Sequence, residues 1–135
     1  MLTALDDDWH GRLAAAMRPL RVSADDGLAF VGVSDRAVRQ ILDVLIENAV
    51  RHGSGAITVR ARSAPAGAVV EVSDEGPGIV GDTERIFERR VSTAGGSGIG
   101  LALARSLAEA EGGRLLVVAA APASTFAIVL PSVAV

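Results

Sequence analysis

The run Gly95-Gly96-Ser97-Gly98-Ile99-Gly100 passes directly into an apolar segment of helical spacing that begins at Leu101. Glycines there leave backbone N–H groups bare at the positive end of a helix, which makes a seat for phosphate oxygens. Flexible hinge glycines are the plainer reading of the same residues. The segment before the run narrows the choice of fold. A dinucleotide-binding fold places a buried apolar strand in that position, whereas this chain carries the charged stretch Glu84-Arg85-Ile86-Phe87-Glu88-Arg89-Arg90.

Composition closes two further routes. All 13 of the Lys+Arg residues are arginine, and there is no tyrosine. A Walker-type phosphate loop needs lysine. Thr93 to Gly100 also resembles the fingerprint of short-chain dehydrogenases, but those enzymes resemble one another in a catalytic tyrosine and lysine. Zero cysteines exclude disulfides and thiolate metal sites and suit the cytoplasm. A net charge of −3 with scattered arginines gives no footprint for nucleic acid. No apolar run approaches the roughly 20 residues of a membrane span, and the start has no secretory-signal pattern. The 135 residues fit one domain.

Periodicity places the other elements. Asp6 to Met17 reads as a short helix with Trp9, Leu13 and Met17 on one stripe, interrupted by Pro19. Leu20–Ala24 and Leu28–Val33 read as strands around Asp25-Asp26-Gly27, a hairpin. Ser34 is a good N-cap for a helix over Asp35–His52, with Val38, Ile41, Leu42, Leu45 and Ala49 at core spacing. Gly53-Ser54-Gly55 ends it, and Ala56–Ala61 and Val69–Ser73 form a second hairpin across Pro65-Ala66-Gly67. Asp74 to Gly100 has little periodicity, and loops of that length are usually functional. A helix over Leu101–Glu111 and strands over Arg114–Ala119 and Thr125–Leu130 complete the chain.

Three places carry candidate chemistry. Asn48, Arg51 and His52 share one face at the end of the Asp35–His52 helix. A carboxamide oxygen suits Mg2+ and an arginine suits phosphate, although the polar side of any helix shows such residues. Asp74-Glu75-Gly76-Pro77-Gly78 follows an apolar strand; its carboxylate can accept from an exocyclic amine, and a simple Pro-Gly turn meets the same pattern. The glycine run is the third. His10 and Asp6-Asp7-Asp8 read as the solvated surface of a terminal helix.

Taken in order, the segments resemble the histidine-kinase branch of the ATPase superfamily shared with DNA gyrase, mismatch-repair ATPases and heat-shock chaperones. Ile41 to His52 is similar to the family's N box, Val72 to Ile79 to its G1 box, Arg85 to Arg89 to its F box, and Gly96 to Leu101 to its G2 box. Ser124-Thr125-Phe126 before Leu130-Pro131 resembles the closing strand. The resemblance covers about 20–131, and four ordered boxes are far more specific than one.

The resemblance implies an α/β two-layer sandwich, a mixed and mostly antiparallel sheet with helices on one face. Residues 1–19 would be a helical lead-in, separate or part of the same domain, and 20–135 the ATP-binding domain. Asn48 would hold Mg2+, Asp74 read the adenine amine, and Gly76 and Gly78 shape the base pocket. Gly96, Gly98 and Gly100 would wrap the phosphates beside Ser97, Ile99 and Leu101. Ile79 to Ser97 would be the ATP lid, anchored by Phe87, and Thr125 would meet Asp74 through a water. Arg51 and His52 stand where the family usually has lysine and an aromatic, and Arg90 where the F box has a second aromatic. Arginine keeps the phosphate charge and imidazole can still stack on a base.

The implied function is transfer of the γ-phosphate of Mg-ATP to a histidine on a separate helical dimerisation domain of the same kinase, and from there to a response regulator. His10, followed by Gly11-Arg12, does not match the acceptor motif. The domain itself would touch no membrane, while the full-length kinase could be anchored in one. ATP-hydrolysing relatives and the anti-sigma serine kinases carry a glutamate general base one turn before the magnesium asparagine; here that position is Val44. A stand-alone serine kinase of the anti-sigma-factor type and a degenerate nucleotide-binding module are the alternatives.

Overall fold

The computed structural model of the protein describes residues 2–25, 34–64, 67–76, 100–119 and 124–131. The elements are α1 (Leu2–Ala15), β1 (Leu20–Ala24), α2 (Asp35–His52), β2 (Ile57–Ala64), β3 (Gly67–Ser73), α3 (Gly100–Ala110), β4 (Arg114–Ala119) and β5 (Thr125–Pro131). The expected strand Leu28–Val33, the lid at 79–97 and the F box lie outside the described residues.

The strands form one sheet in the order β1-β2-β3-β5-β4. β1 runs parallel to β2, joined by a crossover through α2, and the other three pairs are antiparallel. Strand alternation sets the two faces. Ile57, Val59, Ala61, Val70, Val72, Leu115, Phe126, Ile128 and Leu130 point into one buried cluster with residues of all three helices. Thr58, Arg60, Arg62 and Glu71 lie on the opposite face, where Arg62 pairs with Glu71 across β2 and β3 at 3.0 Å. This is the expected mixed, mostly antiparallel sandwich.

Helix α2 is built as its sequence dictates. The Ser34 side chain accepts from Ala37 N–H, Asp35 occupies the first turn, and Val38, Ile41, Leu42, Leu45, Ile46 and Ala49 are buried. Its start is tied to the end of α3, because Ser34 N–H donates to Glu111 Oε1 at 2.5 Å.

Helix α1 corrects the expected apolar stripe. It begins at Leu2, and the buried positions are Leu5, Trp9 and Leu13, whereas Met17 is 90% exposed. The stripe moved one step because the helix stops before Met17. Arg18 N–H reaches Leu13 C=O at 2.8 Å, Met17 N–H reaches Ala14 C=O at 3.0 Å, and Met17 takes φ 57°. That is a Schellman stop with a non-glycine residue in the left-handed position.

Helix α1 also docks on α2 through polar contacts. Trp9 Nε1 donates to Asp43 Oδ1 at 2.8 Å, and Arg39 bridges Asp43 at 2.9 Å and Asp8 at 2.8 Å. The hydrogen bond from Arg39 to Asp43, with Asp8 adding to it, raises the guanidinium pKa above its already high ordinary value. Arg12 stacks 4.1 Å from the Trp9 ring centroid. Full burial of Leu5, Trp9 and Leu13 contributes about 1.5–3 kcal/mol each on general transfer scales.

Candidate functional site

Chain direction brings five element ends to one end of the sheet. The last turn of α2 feeds the start of β2, β3 ends at Ser73 beside the start of β5 at Thr125, and α3 begins at Gly100. A Cβ added at Gly100 would stand 3.5 Å from Cγ1 of Val44, so α3 starts against α2 one turn before Asn48.

Asp74 stands at the end of β3 with both carboxylate oxygens oriented. Gly76 N–H donates to Oδ1 at 2.6 Å and the Ser124 hydroxyl to Oδ2 at 3.2 Å. An ionised carboxylate has about four lone-pair sites, so acceptor capacity remains for an exocyclic amine. Ser124 is itself buried. Thr125, expected to meet Asp74 through a water, pairs with Ser73 in the strand ladder next to Asp74, and Ser124 adds a direct hydroxyl contact to the carboxylate.

Gly53 forms the wall behind Asp74. A Cβ on Gly53 would collide with Cγ and Oδ2 of Asp74 and lie 2.7 Å from Oδ1. A Cβ on Gly76 would lie 2.8 Å from both Gly53 Cα and Ser54 N. The two glycine segments therefore touch backbone to backbone. Glu75 fastens this crossing: its N–H donates to Ser54 C=O at 2.9 Å, and its Oε1 accepts from Ala56 N–H at 2.5 Å.

The last turn of α2 carries Asn48, Arg51 and His52. Asn48 is half-buried and its carboxamide makes no hydrogen bond among the described residues; Arg51 and His52 are exposed. Arg51 Nε donates to Glu47 Oε1 at 3.1 Å, and the other oxygen of Glu47 meets Arg12 of α1 at 3.3 Å. Arg18 holds the helix end from below, donating to Ala49 C=O at 3.0 Å, Val50 C=O at 3.2 Å and Gly55 C=O at 2.9 Å. A cation there also complements the negative helix terminus.

The structure thus gathers Asn48, Arg51, His52, Asp74, Gly76, Gly100, Leu101 and Thr125 around one end of the sheet. Gly78, Ile79, Phe87, Gly96, Ser97, Gly98 and Ile99 lie outside the described residues. Sequence reasoning missed Ser124, Gly53, Glu75 and Arg18. The hydroxyl beside Thr125 was a signal for the first; Gly53-Ser54-Gly55 read only as a helix stop, and nothing local marks Arg18 as a cap 31 residues away from its partner.

The Asn48 carboxamide is a hard oxygen donor that a metal-nucleotide complex would fit. Among the described residues there is no group of three His, Cys, Asp or Glu side chains able to hold an ion. Mg2+ commonly takes one or two protein oxygens, with the rest from water and substrate phosphates, which the Asn48 carboxamide, without a hydrogen bond among the described residues, suits. The collision that a Cβ would cause at Gly53 shows the Asp74 carboxylate seated against bare backbone.

Comparison with known proteins shows the family and the fold. The family described as histidine kinase-, DNA gyrase B-, and HSP90-like ATPase matches residues 33–134. The sensor histidine kinase component HK1 of Mycobacterium tuberculosis is 33% identical over 118 residues, 83% of this chain and 70% of that protein. The sensor protein ChvG of Agrobacterium fabrum is 45% identical over 92 residues, 60% of this chain, and the match spans only 15% of its length. The catalytic domain of histidine kinase ThkA superposes with a TM-score of 0.84 at 20% identity, covering 97% of this chain and 90% of that one, and shows the shared fold.

Proposed function

The chain belongs to the histidine kinase-, DNA gyrase B-, and HSP90-like ATPases, on the sensor histidine kinase side, and from that premise we propose that it binds Mg-ATP and presents the γ-phosphate to a histidine on a helical dimerisation domain of its own kinase. A response regulator would take the phosphate next. The observation that carries the nucleotide assignment is the Asp74 carboxylate, oriented by Gly76 and Ser124 with acceptor capacity to spare.

Each residue has a physical role in this reading. Asp74 accepts from the adenine amine, a contact that guanine, which presents a carbonyl oxygen in that place, cannot make. Asn48 supplies a hard oxygen to the cation that accompanies the phosphates. That cation, when bound, neutralises phosphate charge. Arg51 keeps its Nη donors for phosphate while Glu47 holds its Nε, and His52 stacks on the base. Gly100 and Leu101 open α3, whose first N–H groups face anions. Gly78, Gly96 and Gly98 would shape the pocket and wrap the phosphates, beside Ser97, Ile79 and Ile99, with Phe87 anchoring a lid over 79–97. Helix α1 belongs to the same folding unit, given that Leu5, Trp9 and Leu13 sit in the common core.

The chain contains no described helix long and apolar enough to cross a membrane; a cytoplasmic location, and any membrane anchor of the whole kinase, are part of the proposal. Val44 favours histidine over serine or water as acceptor, because a hydroxyl needs a general base and a neutral imidazole does not. Calorimetric titration with ATP and GTP, each with and without Mg2+, tests the nucleotide assignment. Saturable, Mg-dependent binding of ATP well above GTP is the expected result; absence of binding, or equal binding of both, overturns it.

A further inference from the structure

We propose that Gly53 is a positioning residue for Asp74, setting where the adenine-reading carboxylate stands and so helping to decide which base the site accepts. The inference rests on the reading of Asp74 as the partner of the adenine amine. Gly53 has φ −101°, a backbone conformation that any residue adopts, so its identity is explained by space and not by backbone freedom. The space is filled by one group: all three nearest atoms to a Cβ at this position belong to the Asp74 carboxyl.

Neither side of this contact can retreat freely. Gly53 N–H caps α2 by donating to Ala49 C=O at 3.0 Å, and the loop after it is tied by Arg18 at Gly55 C=O and by Glu75 at Ser54 and Ala56. The carboxylate is the softer partner, turning about its own side-chain torsions. Turning it costs the bonds from Gly76 and Ser124 that aim its remaining lone pairs. A methyl group at position 53 therefore acts on adenine recognition while leaving the cation contact at Asn48 and the start of α3 at Gly100 in place. The consequence is selective: ATP loses its amine contact, and GTP has none to lose.

The test is titration of Gly53→Ala with ATP and GTP, alongside thermal unfolding, in the natural background and in Asp74→Ala. Wild-type preference for ATP over GTP is required first; without it the site reading falls and takes the base-selecting role of Gly53 with it, whereas with it the outcomes below bear on Gly53 alone. Given that preference, Gly53→Ala should weaken ATP by roughly 10-fold or more, the value of one charge-assisted hydrogen bond, and GTP by no more than about 2-fold, within the additivity error of such comparisons. In the Asp74→Ala background the same substitution should change ATP affinity by less than about 2-fold and recover most of any loss in Tm, because residues in contact couple. Equal losses for ATP and GTP, or a stability loss that persists unchanged without the Asp74 carboxyl, would overturn the proposal. If Gly53→Ala does not fold alone, its folding in the Asp74→Ala background supports the collision, and failure to fold in both contradicts it.

Discussion

Gly100 stands directly against Val44: a Cβ on the first residue of α3 would meet Cγ1 of the valine at 3.5 Å. The start of α3, proposed to face the phosphates, thus borders an apolar side chain where hydrolysing relatives resemble one another in a glutamate. Valine cannot accept a proton, and a general base typically contributes about 10²–10⁴-fold. Multiple-turnover ATP hydrolysis by this chain should therefore be slower than that of glutamate-bearing relatives by a factor in that range. Phosphate release measured with Asn48→Ala as the contamination control checks it, and turnover at the relatives' rate, lost in that variant, would point to another branch.

Asp74→Asn should weaken ATP binding by about 10- to 150-fold, the equivalent of losing a hydrogen bond to a charged group worth about 1.5–3 kcal/mol. The amide presents a donor where adenine already donates. GTP binding should change little. Calorimetry showing wild-type ATP affinity in the variant would remove Asp74 from the base pocket.

Trp9→Phe keeps an apolar ring on the α1 stripe and removes the indole donor to Asp43 at 2.8 Å. The expected loss is about 1–2 kcal/mol of unfolding free energy, the scale of one partly buried hydrogen bond. Leu13→Ala should cost about 2–5 kcal/mol, as for other fully buried leucines. Chemical denaturation reads both. Wild-type stability in Leu13→Ala would mean that α1 is a detachable lead-in rather than part of the domain.

Met17→Gly should stabilise the fold. Met17 is 90% exposed and held at φ 57°, a conformation that costs an L-residue roughly 1–2 kcal/mol and glycine very little. Part of that gain is offset by the freer unfolded chain, leaving about 0.5–1 kcal/mol. Differential scanning calorimetry should show a Tm increase of a few degrees, and an unchanged or lower Tm would contradict the reading.

These elements also show what the sequence could and could not reveal. Helix α2 was legible end to end, because its N-cap at Ser34, its apolar spacing and its glycine stop all point the same way. The sandwich came from the ordered resemblance, since local pattern does not say that β1 lies parallel to β2. At Met17 the apolar period runs on past the helix end, because only backbone hydrogen bonds to Leu13 and Ala14 reveal the left-handed stop. In the site, Asn48 and Asp74 were visible as chemistry in motifs. Gly53 and Ser124 were not assigned, because their role is contact with a carboxylate 21 and 50 residues away in sequence, and such contacts exist only after folding.

The most direct measurement joins the chain to the helical phosphoacceptor domain proposed for its kinase, adds Mg2+ and ATP labelled at the γ-phosphate, and determines the chemical stability of the phosphoprotein formed. Transfer to histidine gives a phosphoramidate, labile in acid and stable in alkali, and the label should appear on the acceptor domain and not on His10 or His52 of this chain. Acid-stable label on serine, or no label on any protein despite demonstrated ATP binding, would contradict the account.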